Sequence, residues 1–189
     1  MHEGPNWQPT LVGETLLLRP LRADDFEALY AAARDPLLWT QHPEPDRHER
    51  PVFARFFAGA LESGGALLVL DRAGGEVLGS SRFYGWCAAP PSIVLGYTFL
   101  VRARWGGATN GELKRLMLAH AFRWAETAWF HVGPENRRSQ RALERIGARL
   151  DHAHGAGPAR RLVYRIDRTK EDARAAVVGT DGPRRHRRA

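Results

Sequence analysis

Residues 93–110, IVLGYTFLVRARWGGATN, join a long apolar strand to a helix through a glycine-rich turn. Small residues at such a junction leave room for an anion beside the free N–H groups of the first helical turn, where the helix dipole favours negative charge. Arg102 and Arg104 stand beside the turn and can pair with phosphate oxygens. A plain strand-to-helix connection without a ligand is the alternative, and the local pattern leaves both open. The P-loop pattern GxxxxGK[ST] and the dinucleotide pattern GxGxxG are both missing.

Hydrophobic spacing on either side of this stretch predicts a strand, two helices, three strands, a helix, a strand, a helix and a strand. The strands are expected at 15–20, 66–70, 77–84, 93–101, 129–132 and 162–166. The helices are expected to begin near residues 26, 53, 111 and 138, and the third to reach about residue 126. This order implies an α+β (mixed α/β) fold in which helices cover a mixed sheet.

The formal net charge of +7 comes largely from the carboxyl end, where residues 183–189 read PRRHRRA. We expect an extension at 1–11, one domain at 12–168 and a basic, flexible tail at 169–189. Basic runs of this kind are usually solvated, so a nucleic-acid partner is not expected. No apolar run approaches the ~18 residues of a membrane span, and the start shows no secretory signal pattern. The single cysteine, Cys87, fits a reducing cytoplasm.

Two further motifs accompany the turn. Residues 132–148, VGPENRRSQRALERIGA, contain the pattern N-x-x-S-x-x-x-L-x-x-x-G, and residues 17–21, LLRPL, precede an Asp-Asp-Phe run. With the turn, these motifs resemble the Gcn5-related N-acetyltransferases (GNAT), over about residues 12–168 and most closely in the ribosomal-protein alanine N-acetyltransferase (RimJ/RimL-like) branch. The acetyl-CoA signature of that family, [Q/R]-x-x-G-x-[G/A], matches at Gly106 and Ala108, but Ala103 replaces its basic first residue.

The resemblance implies a GNAT fold: a mostly antiparallel central sheet, flanked by helices, with a splayed parallel pair of strands near 97–101 and 129–132. It also implies acetyl-CoA as co-substrate, with the pantetheine arm along the strand and the pyrophosphate on the turn. The implied cofactor-binding residues are Phe99, Leu100, Val101, Arg104, Gly106, Gly107, Ala108, Thr109, Asn110, Asn136 and Ser139. Ser139 would protonate the leaving thiolate after a primary amine, either a protein N-terminus or a small molecule, attacks the thioester directly. No metal is expected.

The base that takes the amine's proton is harder to place, because the strand at 93–101 has no carboxylate and Val94 stands where several relatives have the acid. His42, in the polar loop 40–51, is the candidate base. Asp151, His152 and His154 form a second cluster, expected in an exposed loop. A CoA-binding regulatory module and a ribosome- or nucleic-acid-associated binder that uses the basic tail are the alternative functions. A homodimer is also left open.

Overall fold

The computed structural model describes residues 4–170, which form one eight-stranded sheet with helices on both faces. The strands are β1 (Leu11–Val12), β2 (Leu16–Pro20), β3 (Ala66–Asp71), β4 (Val77–Ala88), β5 (Pro91–Leu100), β6 (Thr127–Val132), β7 (Arg149–His154) and β8 (Arg161–Asp167). The α-helices are α1 (Phe26–Ala33), α2 (Arg50–Glu62), α3 (Thr109–Ala121) and α4 (Arg137–Arg145). The order across the sheet is β1-β2-β3-β4-β5-β6-β8-β7, and only β5 and β6 run parallel.

The two faces of the sheet carry separate hydrophobic cores, because side chains alternate between faces along a strand. On β3, Leu67 and Val69 belong to the core that includes α3, whereas Leu68 and Leu70 belong to the core under α1 and α2. The sheet therefore separates an α3 side from an α2 side of the molecule.

The strands part between β5 and β6. Their ladder holds three pairs, Ser92 with Thr127, Ile93 with Ala128 and Val94 with Trp129, and no later pair joins them in the described residues. Opposite β4, one extra residue is accommodated between Gly96 and Phe99, and Tyr97 there has a φ of +52°. Such a bulge bends its strand. Beyond Val94 the backbone of β5 consequently faces a gap, which we call the β5–β6 gap.

The amino-terminal end of α3 is fixed to the neighbouring strand by Glu112. Its carboxylate accepts hydrogen bonds from the Thr15 N–H (2.9 Å), the Thr15 hydroxyl (2.6 Å) and the Leu16 N–H (3.2 Å). Burial alone would raise the pKa of Glu112, but these hydrogen bonds outweigh burial and lower the pKa below its ordinary value. The carboxylate therefore stays charged at neutral pH and holds the start of α3 beside the sheet.

The fold class predicted from the sequence is confirmed: a mixed α/β domain with a mostly antiparallel sheet, one parallel pair and flanking helices. The predicted extent of α3 is too long at its carboxyl end, since the helix stops at Ala121. None of the helices in residues 4–170 is long and apolar enough to cross a membrane. Of the tail predicted at 169–189, residues 171–189 lie outside the described residues.

One expectation about an irregular segment is wrong. Asp151, His152 and His154 lie on the strand β7, which pairs with β8, and not in a loop. All six residues of β7 are exposed, so the alternating apolar pattern that reveals a strand is missing there. At the other end of the chain, residues just before the domain predicted at 12–168 contact the sheet: Leu11 begins β1, and the Trp7 ring centroid lies 5.3 Å from those of Phe83 and Trp86.

Candidate functional site

A cavity of about 960 Å³ occupies the β5–β6 gap. On the α3 side it is bounded by the glycine-rich turn and by α4, and on the α2 side by α2 and the segment 38–47. Because its walls come from both faces of the sheet, the cavity runs through the sheet at the place where β5 lacks a partner strand. Two groups of ligand atoms can therefore meet here from opposite faces.

The glycine-rich turn forms an open anion site. Gly106 has a φ of +74°, which favours glycine, and a Cβ atom added at Gly106 or Gly107 would meet no atom within 4 Å. Ala108, the N-cap residue of α3, makes no side-chain cap, so the first N–H groups of the helix are free for a ligand. The turn therefore offers backbone donors and a dipole to an anion, with space above them.

The arginines beside the turn already have acidic partners. Arg104 Nη2 lies 2.8 Å from Asp71 Oδ2, and Arg102 is ion-paired with Asp35. A third cation is present instead: the Arg138 guanidinium lies 3.6 Å from the ring centroid of Trp105, in cation–π contact. This contact connects the turn to α4 across the mouth of the cavity.

The start of α4 brings Asn136 and Ser139 together. The buried Asn136 is the N-cap residue, and its Oδ1 accepts a hydrogen bond from the Ser139 N–H at 3.1 Å. The Ser139 side chain faces the cavity from the first turn of the helix, and no hydrogen bond of its hydroxyl is found within residues 4–170. Asn136 therefore orients the helix, and Ser139 presents a free hydroxyl.

His42 reaches the cavity from the α2 side. Its Nδ1 lies 3.0 Å from the Glu44 N–H nitrogen, and its Nε2 lies 3.1 Å from Arg47 Nη1. Burial and the neighbouring charge of Arg47 lower the pKa of His42 to about 4. A neutral imidazole accepts a hydrogen bond at one nitrogen only, and both nitrogens here face donors. The imidazole is therefore neutral above pH 5, and its lone pair is occupied by a protein donor.

Most of the predicted site residues are brought together. The cavity is lined by Phe99, Leu100, Arg104, Gly106, Gly107, Asn110, Asn136, Ser139 and His42. Val101, Ala108 and Thr109 belong to the same strand and turn but do not line it. The β7 cluster and the exposed Cys87 lie outside it, and no group of metal-binding side chains is found in the described part of the chain.

Lys114 is a cavity residue that sequence reasoning missed. It is buried on α3, and its Nζ donates to Thr98 Oγ1 at 2.8 Å and lies 5.5 Å from the Phe130 ring centroid. Burial lowers the pKa of Lys114 to about 8. The available signal was its position: Lys114 shares the buried stripe of α3 with Met117 and Ala121, at helical spacing.

Two buried arginines, Arg47 and Arg82, also line the α2 side of the cavity and were not predicted. Arg82 lies on β4 between Ser81 and Phe83, so the signal was a charged residue inside an otherwise buried strand segment. Arg47 lies in a short 3-10 turn whose side-chain directions no periodic pattern reveals.

Residues 15–149 match the family model of the acetyltransferase (GNAT) domain. An acetyltransferase from Agrobacterium tumefaciens is 30% identical, with a TM-score of 0.68 over 85% of this chain and 95% of that one. A GCN5-related N-acetyltransferase from Brucella melitensis has a TM-score of 0.76 at 20% identity, over 88% and 80% of the two chains. RimJ from Mycobacterium smegmatis, in complex with CoA-disulfide, has a TM-score of 0.68 at 20% identity, over 94% and 97%. A search of curated proteins found no match.

Replacing Lys114 by methionine should stabilise the fold at neutral pH, because the apolar side chain avoids the cost of burying an ammonium group. A pKa that falls from 10.5 to about 8 on folding corresponds to about 3 kcal/mol, and the lost Thr98 hydrogen bond reduces the net gain to about 2 kcal/mol. The unfolded chain binds more protons between these pH values, so the gain is full below pH 8 and disappears towards pH 10.5. Urea unfolding of Lys114→Met across this range measures it.

The exposed neighbour Arg115 provides the control, since Arg115→Met changes a solvated charge and should leave the free energy of unfolding almost unaltered. A Lys114→Met protein that is less stable than the wild type at pH 7, by an amount independent of pH, would contradict the assignment of a costly buried charge.

Proposed function

The chain belongs to the GNAT acetyltransferase family, and from this premise we propose that it transfers an acetyl group from acetyl-CoA to a primary amine. The observation that carries the proposal is the cavity through the sheet, which joins an open anion site on the α3 side to a second chamber on the α2 side. The donor enters from the α3 side and the acceptor from the α2 side, so that the amine attacks the thioester directly.

The donor part of the proposal uses backbone groups. The edge of β5 is unpaired towards β6 beyond Val94, and the pantetheine amides are proposed to bind along it, as an added strand would. Within the predicted stretch 99–101, the Leu100 C=O already accepts a hydrogen bond from the Trp105 indole N–H and the Val101 C=O from the Arg104 N–H, each at 2.9 Å, so these two carbonyls are not free for the arm. The pyrophosphate takes the N–H groups from Gly106 to Asn110 at the start of α3. Asn136, whose Oδ1 is used by the helix cap, retains its Nδ2 as a donor to the arm. RimJ from Mycobacterium smegmatis, solved with CoA-disulfide, supports this donor class.

Substituting Gly107 tests the position of the pyrophosphate. Gly107 has open space around its Cα, so a side chain there should not disturb the fold. Gly107→Glu places a negative charge where the diphosphate is proposed to bind and should weaken CoA binding about tenfold or more by charge repulsion, as measured by calorimetry. Gly107→Gln is the size-matched neutral control and should weaken binding much less. Equal affinities for wild type and Gly107→Glu would exclude this placement.

The proposed chemistry forms the N–C bond and breaks the C–S bond. The amine must lose a proton, and the departing thiolate must gain one. We assign the thiolate's proton to the Ser139 hydroxyl, which is then reprotonated from solvent. The proposed base is His42, and two features make it a weak one: its pKa is about 4, and the protein donor that occupies its lone pair has to be displaced before it can accept a proton. In the competing route no base is needed, because only the fraction of the amine that is already neutral in solution reacts.

Ser139→Ala should lower kcat about 10- to 100-fold, since the thiolate then has to take its proton from water. The dissociation constant of CoA should stay unchanged, because Ser139 holds its place through its backbone N–H. Free-thiol release under saturating acetyl-CoA measures kcat, Ser139→Cys should restore part of it, and Ser92→Ala, outside the cavity, is the control. A Ser139→Ala enzyme with wild-type kcat would remove this residue from the mechanism.

The function itself is tested by thiol release from acetyl-CoA with a panel of primary amines, and by the matching mass increase of the acceptor.

If His42 accepts the proton, kcat/KM should be flat from pH 5 up to the pKa of the amine, because His42 is neutral throughout. If only the neutral amine reacts, kcat/KM should rise tenfold per pH unit over that range. Tight CoA binding without turnover of any amine would instead favour the regulatory module, which the strand without a carboxylate also allows.

A further inference from the structure

Arg82 is a buried cation without an anionic partner. Its side chain leaves β4 towards the α2 side, where Nη1 donates to the Gly59 carbonyl of α2 at 3.0 Å. The residue is 7% exposed, and its Nε is buried without any hydrogen-bond partner. No carboxylate within residues 4–170 lies within ion-pair distance of it. Nη2 has no hydrogen-bond partner among the described residues and is not among the fully shielded atoms, so it is the donor left for a ligand in the cavity.

A second guanidinium, Arg47, increases the positive charge of the same chamber. Arg47 is 5% exposed, its Nε also lacks a hydrogen-bond partner, and its ion-pair partner Glu44 is mostly exposed. The Phe56 ring centroid lies 4.5 Å from the Arg47 guanidinium carbon and 5.7 Å from that of Arg82. Two positive charges thus border the Phe56 ring, and of the two only Arg47 has a carboxylate partner.

The aromatic rings alone do not satisfy these cations. Tyr97, held by the bulge, places its ring centroid 4.1 Å from the Arg82 guanidinium carbon, and such a contact contributes about 1 to 2 kcal/mol. A ring face accepts no in-plane hydrogen bond from Nε, and an unpaired buried donor is costly. Burial lowers the pKa of both arginines, in agreement with this cost. A carboxylate bound at Nη2 would supply the negative charge that the buried Arg82 guanidinium lacks and so reduce the cost of its burial.

The location of Arg82 decides which substrate carries that carboxylate. Arg82 contacts α2, whereas the glycine-rich turn opens α3, which packs in the core of the opposite face. The phosphates of the donor are proposed to bind at the turn, so an anion at Arg82 has to arrive with the other substrate. Among the residues that line the cavity in the described chain, Glu44 alone carries a carboxylate, and it is paired with Arg47.

We propose that the acceptor is a primary amine that also carries a carboxylate, which Arg82 binds through Nη2 while Arg47 adds attraction. The inference rests on the proposed acetyl transfer and narrows its acceptor class. In it, Arg82 determines specificity and positions the amine, and the rings of Phe56 and Tyr97, with centroids 5.7 and 4.1 Å from the guanidinium carbon, hold the side chain in place at the cavity.

The test compares acceptors that differ only in the carboxylate. Purified full-length protein with acetyl-CoA is given a series of ω-amino acids of increasing length, each beside its primary amide. A second arm uses short peptides with a free amino group and either an acidic residue or its amide at the second position, which distinguishes a peptide source of the carboxylate from a small molecule. The quantity measured is the ratio of kcat/KM for acid and amide.

In the wild type this ratio should be about 10 to 100 for the best length, mainly through KM, because a charge-assisted pair is lost in the amide. Arg82→Gln should bring the ratio close to one, and Arg82→Lys should keep part of it, since the charge remains but the planar fork is lost. Arg123→Gln, an exposed arginine outside the cavity, should keep the wild-type ratio.

The outcomes separate this inference from the proposed function. Turnover of amines with a wild-type ratio near one, or a ratio unaffected by Arg82→Gln, overturns the inference and leaves acetyl transfer standing. If no amine is acetylated, calorimetry on the CoA complex decides. Binding of the acid but not the amide, lost in Arg82→Gln, supports a carboxylate site and contradicts acetyl transfer. Absence of such binding overturns the inference as well.

Discussion

The bulge at Tyr97 bends β5 away from β6, and it leaves strand backbone in the middle of the sheet without a partner. Buried N–H and C=O groups are rarely left unpaired, and the Trp105 indole N–H satisfies one of them, the Leu100 carbonyl, where the neighbouring strand would otherwise lie. The same bend opens a connection between the two faces of the sheet. The cavity, its walls and the arrangement of charges around it all depend on this one departure from regular pairing.

Charge is distributed unequally around the opening. At the glycine-rich turn the flanking arginines are neutralised by Asp35 and Asp71, so attraction for an anion comes mainly from backbone N–H groups and the dipole of α3. On the α2 side the opposite holds, because Arg82 lacks an acidic partner there. Backbone N–H groups bind any phosphate that fits the turn, whereas a guanidinium favours a planar anion such as a carboxylate. The two sides therefore differ in kind as well as in position.

The parts of the site that the sequence revealed are local. The turn at 103–108 and the Asn136–Ser139 pair are contiguous or one helical turn apart, so their chemistry is visible without the fold. Lys114, Arg47 and Arg82 come from a helix, a 3-10 turn and a strand, and they meet only because the strands part. The β-strand at 149–154 was not predicted for a related reason: it is a strand because it pairs with β8, and its exposed side chains carry no strand pattern.

The contact between Trp105 and Arg138 bridges two segments that are distant in sequence, and it lies where the glycine-rich turn meets α4. In the proposed function, a cofactor arm laid in the β5–β6 gap forms a floor under the α2-side chamber, next to this contact. Without that arm, an acceptor amine would face an open passage and no electrophile. We therefore expect a compulsory order of assembly, with the cofactor bound first and a ternary complex preceding chemistry.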